Sequence, residues 1–172
     1  MKTADFDFPL PEEAIAYRPA EKRDSSRLMV LHRDGGIEHR RFHDLPLFLN
    51  SGDLLLINNS KVFPARLTGY KPDGEKLDIL FVSEISAGLW KIMIRGKYTG
   101  SVSLAGGVTA SLSGGKTASF GQAIDVRKLL WENGHMPLPP YIRRSADETD
   151  RKRYQTVYAK VEGSIAAPTA GL

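Results

Sequence analysis

The 172-residue chain contains no cysteine. A disulfide scaffold, a thiolate zinc site and a cysteine nucleophile are therefore excluded. No apolar run approaches the roughly 20 residues that a membrane-spanning helix needs. The opening Met1-Lys2-Thr3-Ala4-Asp5-Phe6-Asp7 lacks the apolar core of a secretory signal. A cytoplasmic protein without membrane contact is expected, its oligomeric state open. The chain has no GxGxxG fingerprint and no metal-ligand spacing of His, Asp or Glu, so neither a nicotinamide nor a metal is expected. Gly115-Lys116-Thr117 ends like a phosphate-binding loop, but Ala110 stands where that pattern wants glycine and no helix signal follows. A β-turn is expected there. Internal repeats, low-complexity tracts and flexible linkers are also missing.

What is present is ordinary in bulk: 41% hydrophobic and 26% charged residues, as in soluble globular proteins. The formal net charge of +4 favours polyanions, RNA foremost, although slight basicity also occurs in proteins that bind none.

Three zones follow one another. In the first, Leu28-Met29-Val30-Leu31 reads as a strand, Asp34-Gly35-Gly36 as a turn, and Ile37-Glu38-His39 as its hairpin partner. A helix-like stretch from Asp44 ends near Ser51-Gly52, and the unbroken apolar run of Asp53-Leu54-Leu55-Leu56-Ile57-Asn58 suits a strand covered on both faces. In the second zone, short β-like runs alternate with glycine turns: Leu77–Val82, Leu89–Arg95, Ser101–Leu104 and Val108–Leu112. That texture predicts a small antiparallel barrel. In the third, Ile124–Asn133 reads as a helix stopped by Gly134, and Pro137-Leu138-Pro139-Pro140 must be extended. Ser145 and Glu148 have capping-box spacing before a short basic-ended helix. The expected fold class is an α/β mixed domain interrupted by a small antiparallel β-barrel. Residues 1–62 and 123–172 form the discontinuous α/β part, incomplete at its C-terminus, and residues 63–122 the inserted barrel.

Several clusters have the residue types that chemistry uses. Arg23-Asp24-Ser25-Ser26-Arg27 offers two arginines for a phosphate or carboxylate and an aspartate for a ribose hydroxyl, or is simply a solvated turn. Asn58, Lys61 and Arg66 lie just past the expected buried strand, where ligands gather in open α/β sheets, or form a polar turn into the barrel. His135, at a helix stop, is a proton-transfer candidate or a helix cap, and Tyr141 a stacking candidate. Tyr154 and Gln155 follow the basic run Arg151-Lys152-Arg153, a mixture that suits RNA or a solvated helix. Thr169 sits in the small-residue string Ala166-Ala167-Pro168-Thr169-Ala170-Gly171-Leu172.

Singly these signals are weak; their order is specific. Arg23–Arg27, Arg40-Arg41-Phe42, Gly52-Asp53-Leu54-Leu55, Asn58–Arg66, Gly134-His135-Met136-Pro137-Leu138-Pro139-Pro140-Tyr141-Ile142, Asp150-Arg151 with Tyr154-Gln155-Thr156-Val157-Tyr158-Ala159, and the terminal Ala166–Leu172 string follow in sequence. Together they resemble the N-terminal half of the S-adenosylmethionine:tRNA ribosyltransferase-isomerase family of queuosine biosynthesis. The resemblance covers essentially the whole chain, most loosely in the barrel zone. It implies an α/β domain interrupted by a barrel. It also implies transfer and isomerisation of the ribosyl part of S-adenosylmethionine, as co-substrate, onto 7-aminomethyl-7-deazaguanine at the tRNA wobble position. The products are epoxyqueuosine-tRNA, adenine and methionine. Under that resemblance His135 is expected in proton transfer or adenine contact, and Arg23, Arg27 and Arg66 on phosphate or carboxylate. Tyr141 and Tyr154 are expected in stacking, and Asp24 and Thr169 on ribose or methionine groups. Asn58, Lys61 and Gln155 complete the substrate-binding set. The family's chain is about twice as long, its Ala-Pro-Thr-Ala-Gly-Leu string is followed by more sequence, and the stretch after Gly107 is short beside it. A fragment inactive by itself, with exposed apolar surface, is therefore expected. The alternatives are a non-catalytic RNA-binding β-barrel module and a barrel with a structural role.

Overall fold

The computed structural model describes residues 1–121 and 124–172. The expected boundary between residues 122 and 123 lies outside the described residues. Contacts gather the chain into two units, Met1–Leu56 with Pro140–Arg144, and Ile57–Pro139 with Ser145–Leu172.

The first unit is built on an antiparallel hairpin of β1 (Arg27–Leu31) and β2 (Ile37–Arg41). Its turn is closed by His32 N–H donating to the Gly36 carbonyl at 2.8 Å, with Gly35 at φ 88°, a conformation glycine adopts without steric cost. Two 3₁₀ segments flank it, Arg23–Ser25 before β1 and Phe42–Phe48 after β2. Pro46 inside the second keeps it from becoming an α-helix. In the same unit Arg144 Nε donates to the Tyr17 carbonyl at 2.9 Å and Arg143 pairs with Glu12.

The second unit holds the core. Six strands close into an antiparallel barrel: β4 (Arg66–Tyr70), β5 (Lys76–Ser86), β6 (Leu89–Ile94), β7 (Gly100–Ser103), β8 (Thr109–Ser113) and β9 (Thr117–Ser119), in the order β4-β5-β6-β9-β8-β7. The Tyr70–Ser103 pairing closes the ring. Alternate residues point inward, so Leu67, Ile79, Phe81, Trp90, Ile92, Val102, Ala110, Leu112 and Ala118 are buried. Side chains fill the interior, as in other small barrels. Phe81 and Phe63 both meet the Trp90 ring edge-on, with centroids 6.0 and 6.4 Å away. Gly69 is small because a Cβ there would press on Ile79 and Leu104 at 3.0–3.1 Å. The expected turn is there: Gly114-Gly115-Lys116 join β8 to β9, and Thr117 opens β9.

Helix α1 (Val126–Asn133) packs Val126, Leu129 and Leu130 inward and is capped by Asp125, whose carboxylate accepts from Lys128 N–H at 3.0 Å. Helix α2 (Glu148–Arg153) is capped by Asp147, with Asp150 bonding back to the Asp147 N–H at 2.8 Å. The expected Ser145–Glu148 cap is thus displaced by two residues: the aspartate pair has the same spacing and carries the charge that an N-terminus favours. A parallel two-stranded sheet joins β3 (Ser60–Val62) to β10 (Val161–Ser164).

One expectation fails outright. Leu54 to Ile57 form no strand; the four residues are 83%, 61%, 83% and 54% exposed. Among the described residues no ladder neighbour and no layer covers them, and a doubly buried strand requires both. Among the described residues no helix is long and apolar enough to cross a membrane.

Candidate functional site

The hairpin unit carries a cavity of about 380 Å³ lined by Arg27, His39, Arg40, Arg41 and Asp44. Three arginines, a histidine and one carboxylate thus line it. The pairing register explains the grouping. Arg27 lies directly opposite Arg41, and Met29 opposite His39. Directly opposed residues share a face, so Arg27, Arg41, Met29 and His39 point the same way, all exposed.

The charges here are unevenly compensated. On the hairpin's other face Glu38 accepts from Arg40 Nε at 2.8 Å and meets His32 Nε2 at 2.8 Å. The Arg40 guanidinium, and then the His32 imidazole, hold the Glu38 carboxyl below its ordinary range. Asp44 is committed elsewhere: one oxygen accepts from the Arg41 backbone N–H at 3.0 Å, and the other lies 3.5 Å from His43 Nε2. Arg41 NH1 donates to the Ser25 carbonyl at 2.9 Å, which fixes its side chain but neutralises nothing. Arg27 has no acid partner among the described residues. The arrangement leaves a cationic depression open to an anion.

In the second unit, Arg66 and His135 meet in an isolated antiparallel bridge. His135 N–H donates to the Arg66 carbonyl at 2.8 Å, and Arg66 N–H returns a bond to the His135 carbonyl at 3.2 Å. The His135 residue is exposed. Arg66 NH1 lies 3.4 Å from Asp78, while its Nε is buried with no partner among the described residues.

The remaining candidates fall in different settings. Arg23 is half-buried in the 3₁₀ turn, and Asp24 is exposed there. Tyr141 is 55% exposed in the first unit. In the second unit, Asn58 Oδ1 accepts from Ser60 N–H at 3.0 Å and from the Ser60 hydroxyl at 2.6 Å, an Asx turn. Lys61 Nζ sits 5.0 Å from the Trp131 ring centroid, a cation–π contact. Gln155 clasps the buried Val62 backbone, accepting from its N–H at 2.9 Å and donating to its carbonyl at 2.6 Å. Tyr154 is buried, and Thr169 is exposed at the last 3₁₀ turn. Of the basic run, Arg151 donates to the carbonyls of Trp131 and Gly134 at 2.9 and 2.7 Å, bonding the carbonyl end of α1.

Sequence reasoning assigned no site role to His39 or to Arg41, which it quoted only within a strand and a motif. Their signal was present as alternation in Ile37-Glu38-His39-Arg40-Arg41, which places Ile37, His39 and Arg41 on one strand face. Which cross-strand residue each would meet was not visible.

Fold and site together define a protein with a closed six-stranded barrel and a separate hairpin unit presenting a cationic cavity. The chain belongs to the queuosine biosynthesis protein family, whose model matches residues 3–172. It is 45% identical over 181 residues to the S-adenosylmethionine:tRNA ribosyltransferase-isomerase of Thermodesulfovibrio yellowstonii, covering 100% of this chain and 52% of that protein. The protein of the same name from Halothermothrix orenii is 46% identical over 184 residues, covering 100% and 53%. A crystal structure of S-adenosylmethionine tRNA ribosyltransferase from Thermotoga maritima aligns with a TM-score of 0.33 and 33% identity, covering 80% of this chain and 52% of that one. The chain spans about half the length of the curated relatives it matches.

Proposed function

We propose that this chain supplies half of a tRNA ribosyltransferase-isomerase acting in the cytoplasm. The reaction moves the ribosyl part of S-adenosylmethionine onto the amine of 7-aminomethyl-7-deazaguanine in the tRNA anticodon. Epoxyqueuosine-tRNA forms, and adenine and methionine leave. The observation that carries this reading is the identity of about 45% that runs through the whole chain to enzymes of that name.

The chemistry asks for few groups. The sulfonium acidifies the adjacent C5′ protons of the ribose. A base that removes one gives an ylide-like carbanion, which drives elimination of adenine. The substrate amine then attacks, and closure of the epoxide expels methionine. A positioned base, donors to the departing adenine and cations for the RNA backbone meet those needs. His135 is our choice for proton transfer or adenine contact: it is exposed, and its backbone is pinned to Arg66. Arg23, Arg27 and Arg66 are assigned to phosphate or carboxylate groups, and Asp24 and Thr169 to ribose or methionine groups. Tyr141 is the ring proposed for stacking, since Tyr154 is buried and has little ring face to offer a base.

The test is a chimera in which this chain replaces the matched half of the T. yellowstonii enzyme. Label from the ribose of S-adenosylmethionine should appear in tRNA carrying the aminomethyl-deazaguanine. A folded chimera that binds tRNA but neither binds S-adenosylmethionine by calorimetry nor transfers label would leave an RNA-binding module in its place.

A further inference from the structure

We infer that the exposed face of the β1–β2 hairpin is a binding site for single-stranded RNA, with Arg27 and Arg41 holding a backbone phosphate and His39 stacking on the adjoining base. The inference rests on tRNA being the macromolecular substrate proposed above and names where this chain grips it.

Four observations carry it. Arg27 and Arg41 are directly opposed in the ladder, an arrangement in which like charges repel. The one carboxylate lining the same cavity, Asp44, is bound to the Arg41 backbone N–H and lies beside His43. Arg40 has its own carboxylate, Glu38, whereas Arg27 has none among the described residues. Arg41 is oriented by the Ser25 carbonyl, which uses a donor without cancelling the charge. Two guanidinium groups on one face outnumber the single carboxylate of the cavity and leave a net positive charge for a phosphate, whose geometry arginine suits.

The neighbouring pair sets the ligand class. Met29 and His39 are the next residues along the same face, about 6.7 Å further at the rise of a β-strand. Both are exposed. An imidazole beside a thioether offers a flat contact to a base whose stacking face is free, which single strands and loops provide and duplexes do not. The cavity, about 380 Å³ and open, is lined by three arginines, a histidine and one aspartate, with no aliphatic or aromatic hydrocarbon side chain such as lines a site that encloses a small molecule.

The experiment is fluorescence anisotropy of the 172-residue chain with labelled bulk tRNA and a labelled unstructured RNA, across a salt series. Unlabelled tripolyphosphate is titrated against each complex. R27Q/R41Q is expected to weaken both RNAs roughly 10- to 30-fold at about 0.1 M salt and to flatten the salt slope by about 0.7, for the one phosphate that the pair holds. R27K/R41K should keep most of the slope, and H39A should lose affinity without changing it. R33Q, the same charge loss in the hairpin turn, should bind like the parent. If R27Q/R41Q, folded by circular dichroism, keeps the parent's affinity and slope, the site is overturned while tRNA recognition stands. If the parent binds tripolyphosphate but neither RNA, or binds nothing, the site is likewise overturned. Label transfer by the chimera then tells separately whether the enzymatic reading survives.

Discussion

His135 and Arg66 exchange both of their backbone hydrogen bonds, at 2.8 and 3.2 Å, although 69 positions separate them in the chain. The bridge ties the segment after α1 to the first barrel strand. Because the tie runs through backbone atoms, the imidazole is not needed to hold it. His135→Ala should therefore leave the thermal midpoint of the chain nearly unchanged. In the chimera the same substitution is expected to lower label transfer by about 10²–10⁴-fold, the usual worth of a proton-transfer group. Unchanged turnover removes His135 from the mechanism.

The neighbouring Gly134 is there for space, not for backbone freedom. Its φ of −79° and ψ of 158° suit any residue, but a Cβ would collide with the Pro64 carbonyl oxygen and crowd that of Leu130. Gly134→Ala should cost about 1–3 kcal/mol, the range for forcing atoms into a filled interior. Urea unfolding followed by far-ultraviolet circular dichroism measures it.

Gln155 supports Val62 in both directions, and Val62 is wholly buried. Gln155→Ala leaves a buried N–H and a buried carbonyl without that partner, so a loss of about 1–3 kcal/mol is expected by the same assay. A loss near zero means that another group takes the amide's place.

Glu38 supplies the pH dependence. Its pKa is held below the usual 4.5, first by the Arg40 hydrogen bond and then by His32. A depressed folded-state pKa contributes stability that is present above the unfolded value and lost as pH falls through the folded one. Hairpin order should thus persist at pH 5 and weaken below about pH 4, near the ordinary carboxyl range. Carboxyl NMR titration should give a Glu38 midpoint below that of an unpaired glutamate, and Arg40→Gln should raise it.

The run Leu54–Leu56 leaves three leucines 83%, 61% and 83% exposed. Contiguous apolar surface of this kind drives association. The isolated chain is expected to elute above monomer mass at micromolar concentration, and Leu54→Lys with Leu56→Lys should move it toward the monomer. Light scattering on the two proteins decides.

Much of the fold was legible because it rests on local signals. The apolar run at Leu28–Leu31 and the short β-like runs of the barrel zone marked strands, glycine turns separated them, and Val126, Leu129 and Leu130 at helical spacing marked α1. Two readings went astray for one reason: local pattern says what a segment prefers, not what stands beside it. The leucine run signalled burial and found no neighbour. Ser145 and Glu148 had capping-box spacing, but Asp147 with Asp150 took the role. In the sites, arginine and histidine were noticed by type, yet the partners that decide their use lay elsewhere. Gln155 turned out to clasp Val62, Arg151 to bond the end of α1, and Arg41 to stand against Arg27.

By itself the sequence determined the composition of each strand and turn, the antiparallel barrel and, through the order of its motifs, the family. Those follow from periodicity, backbone preference and residue identity, which are properties of neighbours along the chain. Only the tertiary structure decided which cations share a face and which carboxylates neutralise them. It also decided that Arg66 and His135 adjoin. Charge compensation and hydrogen bonding depend on distance in space, and strand register and barrel closure set that distance.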